Sequence, residues 1–493
     1  METVGLQVKK TVKTYPNKTA VIYKDRSITY KELYYRAMAL TSFLKKQGLK
    51  KGDRIAVLLS NRLEHIELDL VAAFGGFIKV PLNFRLHPEE HEYMIHDAEV
   101  AYLIGEKELI SPIDVQVPTL FVGELYEEII ENHLGEEYVE EVDEDDEFVI
   151  MYTSGTTGKP KGVVLTHRNI ASATLAISLV TDVTKDDVIG HVAPLSHGSN
   201  FLSHLSWLNG NTQIIYNKFD PEEFIDDIEK DGVTVIFLVP TMINLMIQHP
   251  NFDPKKLEKM KSIVMAGSAI AASKFRKAIE LLGTKFVQMY GQAEAPMAIT
   301  TMLRDEQLER VESCGKPSPF VDMKIVDSEM NELPPREIGE IVCKGSLVMK
   351  GYWKNEKATK ETIVDGWLRT GDLGYVDENG YLYIVDRIKE VIISGGANIY
   401  PREVEEVLSK HKGVKEVAVV GVPDEKWGES VVAYVVPNGT VEVKEEELIE
   451  LSKNHLASYK KPREVIITDR LPKNAYGKIL KKELVKLYAQ GVR

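Results

Sequence analysis

Tyr152-Thr-Ser-Gly-Thr-Thr-Gly-Lys-Pro-Lys-Gly162 is the stretch from which the whole chain can be read. It holds three glycines, four Ser or Thr hydroxyls and two lysines in eleven residues. Glycine lets backbone N–H groups crowd around an anion, while hydroxyls and ammonium groups add donors and charge. A polyphosphate is the ligand such a loop suits. The spacing is not the Walker pattern, which needs Gly-Lys-Ser/Thr where this chain has Gly158-Lys159-Pro160. The apolar run Phe148-Val-Ile-Met-Tyr152 leads straight into the loop and reads as a buried strand.

Working outward, Glu136 to Glu147 carries nine carboxylates and reads as a solvated connector. Before it, Arg54–Leu58, Lys79–Leu82 and Ala101–Ile104 read as strands, and Glu64–Phe74 as a helix. After the loop, Val233–Val239 and Ser262–Ala266 read as strands and Ala272–Leu282 as a helix. Strands separated by helices predict an α/β fold with doubly wound, largely parallel sheets. Past residue 315 the texture changes to short alternating runs, Val321–Val326, Gly339–Cys343 and Gly380–Val385, which predict a small antiparallel, barrel-like subdomain over about 315–386. From Glu390 onward the pattern is α+β: strands Val391–Ile393, Val417–Val420 and Val431–Val436, with helices Pro401–Lys410 and Glu445–His455. The expected organisation is a large unit over 1–386 and a small one over 387–493, with the boundary at Asp386-Arg-Ile-Lys389.

The chain has 493 residues, 44% hydrophobic and 28% charged, so a large core is affordable and wholesale disorder is excluded. A net charge of −14 argues against nucleic acid as the main partner. Cys314 and Cys343 are too few for a disulfide framework or a four-cysteine zinc site, and read as reduced buried thiols. No signal-peptide pattern opens the chain, and no apolar run approaches the ~20 residues that span a bilayer. The cytoplasm is the expected compartment.

Six collinear segments then carry a resemblance. Besides the loop, they are Pro194-Leu-Ser-His197, Tyr290-Gly-Gln-Ala-Glu294, Thr370-Gly-Asp372 with Asp386-Arg-Ile-Lys389, Ser394-Gly-Gly-Ala-Asn-Ile-Tyr-Pro401, and Pro472-Lys-Asn-Ala-Tyr-Gly-Lys478. Over essentially its whole length the chain resembles the ANL superfamily of adenylate-forming enzymes, which comprises acyl- and aryl-CoA synthetases, luciferases and peptide-synthetase adenylation domains. The resemblance implies an acid-thiol ligase of the acyl-CoA synthetase type. ATP would activate a carboxylic acid as an acyl-adenylate, and coenzyme A would receive the acyl group.

For ATP, the resemblance implies the loop residues Thr153, Ser154, Gly155, Thr156, Thr157, Gly158, Lys159 and Lys161. It also implies Tyr290 and Gly291 against adenine, with Asp372 and Arg387 at the ribose and phosphate. Ala293 departs from the family's commoner Thr and removes a hydroxyl from this site. The turn Gly267-Ser268-Ala269 follows a strand, and ligands of open α/β sheets sit at strand carboxyl ends, so it is read as a wall of the pocket. Glu294 is the candidate Mg²⁺ anchor, because magnesium takes one or two protein carboxylates plus phosphate oxygens. Lys478 resembles the family's adenylation lysine, and Lys389 its hinge.

For coenzyme A, the resemblance implies Arg85, Gly395, Gly396, Tyr459, Lys461 and Arg463, with Trp427 flanking them. His197, Ser199, Asn200, Phe201 and Met297 are expected around the acid. No basic residue in those segments is placed to pair a second carboxylate, which favours a monocarboxylic acid with an apolar chain or ring. A carrier-protein phosphopantetheine is the alternative acceptor, and a homodimer stays open.

Overall fold

A computed structural model describes residues 2–153, 159–268, 270–474 and 477–491. Two large sheets form the N-terminal part. The seven-stranded sheet runs Gly351–Tyr352, Lys161–Thr166, Glu147–Thr153, Ile78–Asn83, Arg54–Leu59, Tyr102–Gly105, Thr119–Phe121. Its central strands are parallel, and the hairpin of Glu147–Thr153 with Lys161–Thr166 is antiparallel. The nine-stranded sheet likewise has a parallel centre, from Thr19–Tyr23 through Ser262–Met265 to Phe286–Gln292, and antiparallel edges. One continuous apolar core joins the two sheets through the helices between them. This is the doubly wound α/β arrangement that strand–helix alternation predicts.

The helix Glu64–Gly75 is buried along its entire length. It ends at Gly76, whose φ of +62° is the left-handed conformation glycine takes cheaply. Its charged residues are therefore each matched. Glu64 pairs with Arg62, and Asp69 with Lys79. Glu67, fully buried, accepts from Arg36 Nε at 2.6 Å and from the Tyr126 hydroxyl at 2.5 Å, and Arg36 also reaches Glu127. Removing one partner of such a pair leaves a buried charge uncompensated. Arg36→Met is expected to destabilise the N-terminal part by about 3–5 kcal/mol in urea unfolding. A loss below about 1 kcal/mol would show the network to be dispensable.

A five-stranded antiparallel sheet follows, built from Val321–Val326, Gly339–Gly345, Ile363–Val364, Trp367–Val376 and Leu382–Arg387. The C-terminal part has its own sheet, Ile392–Ser394, Ala397–Ile399, Val414–Asp424, Gly428–Pro437 and Glu464–Ile467, and its own apolar clusters. Between these two sheets lies the single 3-10 turn Ile388–Glu390.

The acidic run differs from its reading as a solvated connector. Glu136 and Glu140 pair with Lys46 and Lys45, Asp146 with Lys51, Glu144 and Asp145 with Arg168, and Glu147 with Lys350. It is a strap tied to the surface of the N-terminal part by complementary charge. Among the described residues, no helix is long and apolar enough to cross a membrane.

Candidate active site

The strands on either side of the glycine-rich segment, Glu147–Thr153 and Lys161–Thr166, pair as an antiparallel hairpin. Tyr152 faces Gly162 and Thr153 faces Lys161. A Cβ on Gly162 would lie 2.7 Å from Ile150 and 3.3 Å from Trp353, so only glycine fits there. Ser154, Gly155, Thr156, Thr157 and Gly158 lie outside the described residues, as does Ala269. The flanking lysines are anchored on aromatic faces: Lys159 Nζ is 5.0 Å from the centre of the Tyr93 ring, and Lys161 Nζ 4.1 Å from that of Tyr352.

Tyr352 links the loop to the next candidate. Its hydroxyl donates to Glu294 Oε1 at 2.7 Å. Glu294 occupies the tight turn between Phe286–Gln292 and Ala295–Met302, with Gln292 paired to Ala295. Lys161, Tyr352 and Glu294, distant in sequence, thus form one edge of the site. Sequence reasoning missed Tyr352; as one aromatic in Gly351–Tyr352, it carries no periodic signal. The same turn is crowded at Gly291, where a Cβ would meet the Met297 backbone N at 2.7 Å. Met297 itself has φ +65°, a conformation that costs a non-glycine residue about 1–3 kcal/mol and concentrates at functional sites.

A cleft of about 490 Å³ opens at Tyr290 and Gly291, just before that turn. Gly267, Ser268, Tyr290 and Gly291 line it from the nine-stranded sheet, and Asp372 and Arg387 from the antiparallel sheet. The Tyr290 hydroxyl donates to Asp372 Oδ2 at 2.7 Å, and Arg387 Nε stands 3.2 Å from Asp372 Oδ1. Asp372 and Arg387 face each other across adjacent strands, so the pairing register fixes this contact. Burial raises the Asp372 carboxyl above its ordinary range, against the opposing pull of Arg387 and Tyr290. Burial likewise pushes the Tyr290 phenol well up, so it stays a donor.

The C-terminal part supplies the far wall of the same cleft, with Lys473, Gly477, Lys478 and Lys481. Lys478 exposes its side chain there. Packing around it, then the Arg387 guanidinium, lower its pKa, while Glu390 and Asp372 raise it. Lys481 is fixed between Glu390 and Glu405.

His197, Asn200 and Phe201 lie together against the seven-stranded sheet, around a smaller cavity. His197 presents an exposed side chain, yet lies deep enough that desolvation lowers its pKa to about 4. Ser199 corrects its expectation as a pocket residue: it is fully buried, and its hydroxyl lies 3.1 Å from His191 Nδ1. A helical turn that exposes His197 turns Ser199 into the core.

The residues expected for a second substrate lie apart from the cleft. Gly395 and Gly396, at φ +59° and +81°, form an exposed turn against Trp427, where a Cβ on Gly395 would come within 2.7 Å of the indole. Arg463 stacks 5.5 Å over the same indole and pairs with Asp424 at 2.9 Å. Tyr459 is exposed and Lys461 partly so. Arg85 is exposed on the N-terminal part, over the Phe84 ring. Lys389 is exposed within the 3-10 turn.

The AMP-binding enzyme model matches residues 8–353, and the model of the AMP-binding enzyme C-terminal domain matches residues 403–478. The chain belongs to the AMP-binding enzyme family. Feruloyl-CoA synthase from Amycolatopsis sp is 37% identical over 478 residues, 95% of this chain and 96% of that one. ATP-bound MatB from Rhodopseudomonas palustris superposes with a TM-score of 0.92 at 30% identity, covering 100% of both chains. The o-succinylbenzoate CoA synthetase of Bacillus subtilis, solved with its acyl-adenylate OSB-AMP, gives 0.88 at 32% identity over 97% of each chain.

Proposed function

We propose that this AMP-binding enzyme is an AMP-forming carboxylic acid:CoA ligase. The observation that carries the reading is Lys478: a cation from the C-terminal part stands in one cleft with Tyr290, Asp372 and Arg387 of the N-terminal part. In the first half-reaction a carboxylate oxygen attacks the α-phosphorus of ATP, the bond to the β,γ-phosphates breaks, and pyrophosphate leaves. Two anions must meet, so fixed cations and donors do most of the work. Lys478 lies between the carboxylate and the α-phosphate and screens each from the other. Asp372 accepts the ribose hydroxyls on the lone pairs that Tyr290 and Arg387 leave free. Tyr290 offers adenine its ring.

Magnesium fits this site in the mode that takes one protein carboxylate together with phosphate oxygens. Among the described residues no group of three His, Cys, Asp or Glu could hold a metal by itself, and Glu294 stands beside Lys161 at the loop edge. The ion would supply charge neutralisation for the departing pyrophosphate. The chain's own part is to keep Glu294 aimed through its Tyr352 hydrogen bond.

In the second half-reaction the CoA sulfur attacks the acyl carbonyl, AMP leaves with the bonding pair, and the thiol proton goes to solvent. Gly395 and Gly396 lie outside the cleft that Lys478 lines, so one domain pose does not serve both steps. Rotation about Lys389 would exchange them. Lys389→Pro restricts the turn and the residue before it. Thioester formation is expected to fall at least about tenfold more than ATP–pyrophosphate exchange. Equal losses with intact folding would place the hinge elsewhere.

Likeness to a feruloyl-CoA synthase and an o-succinylbenzoate CoA synthetase favours CoA over a carrier protein, and an acid with an aromatic ring over a fatty acid. The buried thiols Cys314 and Cys343, with pKa values pushed up by burial to about 11 and about 12, suit a reducing cytoplasm. The test is incubation with ATP, CoA and a panel of carboxylic acids. AMP, pyrophosphate and acyl-CoA should appear in equal amounts and only with the right acid. Formation of ADP, or product with a carrier phosphopantetheine but not with CoA, would overturn the reading.

A further inference from the structure

The two parts of the chain meet across the cleft at a lysine that the ligase reading leaves unused. Lys274 stands in the first turn of the helix Ala272–Leu282, which joins two strands of the nine-stranded sheet. Its Nζ donates at 2.8 Å to the carbonyl oxygen of Lys415, at the start of the C-terminal strand Val414–Asp424. Packing around Lys274 lowers its pKa, and the Glu416 carboxylate pulls it back up. A lysine ordinarily keeps its ammonium in water. Here a partly buried ammonium is given to one carbonyl of the other part, a charge-assisted hydrogen bond. Arg402 makes another contact between the parts: its backbone N–H donates to Asp386 Oδ2 and its Nη1 to the Ile384 carbonyl, each at 2.9 Å. Ile384 and Asp386 belong to the strand that runs into the turn at Lys389, so Arg402 grips beside the proposed hinge. A grip beside a hinge leaves rotation free. Lys274 adds a second grip from a separate element, and two such grips fix an orientation.

The strand gripped by Lys274 also holds the segment that carries Lys478. Glu416, next to Lys415, pairs with Lys473 Nζ at 2.7 Å. Lys473 in turn pairs with Ile479 in an antiparallel bridge. Between them Asn474 closes on Lys478 twice: its N–H donates to the Lys478 carbonyl, and its Oδ1 accepts from the Lys478 N–H, each at 2.9 Å. An unbroken run of contacts thus leads from the helix of the N-terminal part to Lys478. We infer that Lys274 is a positioning residue for adenylation: it docks the C-terminal part in the pose that presents Lys478 to the cleft, and the Glu416–Lys473 pair passes that placement on to the Lys478 segment. The inference rests on the ligase reading and its two poses. Lys415 and Glu416 belong to the rotating part and Lys274 does not, so rotation about Lys389 separates them. The bond is made in one pose only, and a contact made in one of two states shifts the balance toward that state.

The test measures the two half-reactions separately, with the acid of the panel that releases pyrophosphate fastest. Lys274→Met keeps the apolar stem and removes the donor. Acid-dependent ATP–pyrophosphate exchange should fall about tenfold, as for loss of a hydrogen bond from a charged group. Thioester formation from the presynthesised acyl-adenylate should hold at the wild-type rate or rise. Lys274→Arg supplies a donor again and should recover most of the exchange. Glu416→Gln should give a smaller loss of the same kind. Combined with Lys274→Met it should cost less than the product of the two single losses, because both act along one path of contacts. Equal losses in the two half-reactions by folded Lys274→Met, or no loss of exchange, overturn the docking role. Should Lys274→Met not fold, the partly exposed Glu416 decides, and unaltered exchange in Glu416→Gln overturns the inference. Lys478→Ala is measured alongside. If it keeps exchange, the reading beneath the inference fails; if it loses exchange while Lys274→Met keeps it, only the docking role fails. No exchange with any acid of the panel removes the ligase reading, and the docking role with it.

Discussion

Lys478→Ala is expected to abolish acid-dependent ATP–pyrophosphate exchange, by about 10²–10³-fold or more, while sparing thioester formation from a presynthesised acyl-adenylate. Loss of one principal electrostatic donor at a reacting centre has an effect of that size. The asymmetry comes from geometry. Lys478 faces the cleft that holds Tyr290 and Asp372, whereas the Gly395–Gly396 turn lies against Trp427, outside it. Once pyrophosphate has gone, the charge that Lys478 screens has gone too, and the second step needs the other face of the C-terminal part. The complementary variant, Gly396→Leu, places a side chain on a φ of +81° and across the proposed pantetheine path. It should lose thioester formation and keep exchange. If Lys478→Ala lost both activities to the same degree, the division of labour between the two faces would be wrong.

The second large effect is expected at Glu294. Glu294→Gln keeps the shape and the Tyr352 hydrogen bond but removes the negative charge. Adenylation should fall by about 10²-fold, and the Mg²⁺ concentration needed for half-maximal rate should rise. Tyr352→Phe should give a smaller loss of the same kind, since it frees Glu294 without neutralising it. Unchanged kinetics of Glu294→Gln at limiting Mg²⁺ would remove Glu294 from the metal's surroundings.

Much of this architecture was legible because it is local. Val321–Val326, Ala272–Leu282 and Glu445–His455 have in the structure the bounds their apolar spacing predicts. Glycines at enforced positions were legible as a motif, and Gly162 shows why: Ile150 and Trp353 leave no room for a Cβ. What stayed hidden was tertiary. Val414–Asp424 is longer than the apolar run Val417–Val420, because its hairpin partner Gly428–Pro437 pairs with it along nearly its whole length. The acidic strap looked solvated because its lysines and arginines lie far away in sequence. Lys79 read as one residue of a strand, and nothing in its neighbourhood announces a buried partner ten residues earlier on a helix.

Formation of an acyl-adenylate is tested most directly by isotope. The acid is supplied with both carboxylate oxygens labelled as ¹⁸O, together with ATP and CoA, and the products are resolved by mass spectrometry. One labelled oxygen should appear in the phosphate of AMP and the other in the thioester carbonyl, because the carboxylate attacks the α-phosphorus and its carbon–oxygen bond then breaks. Label found in inorganic phosphate beside ADP, or AMP free of label, would contradict attack at the α-phosphorus and with it the function proposed for this chain.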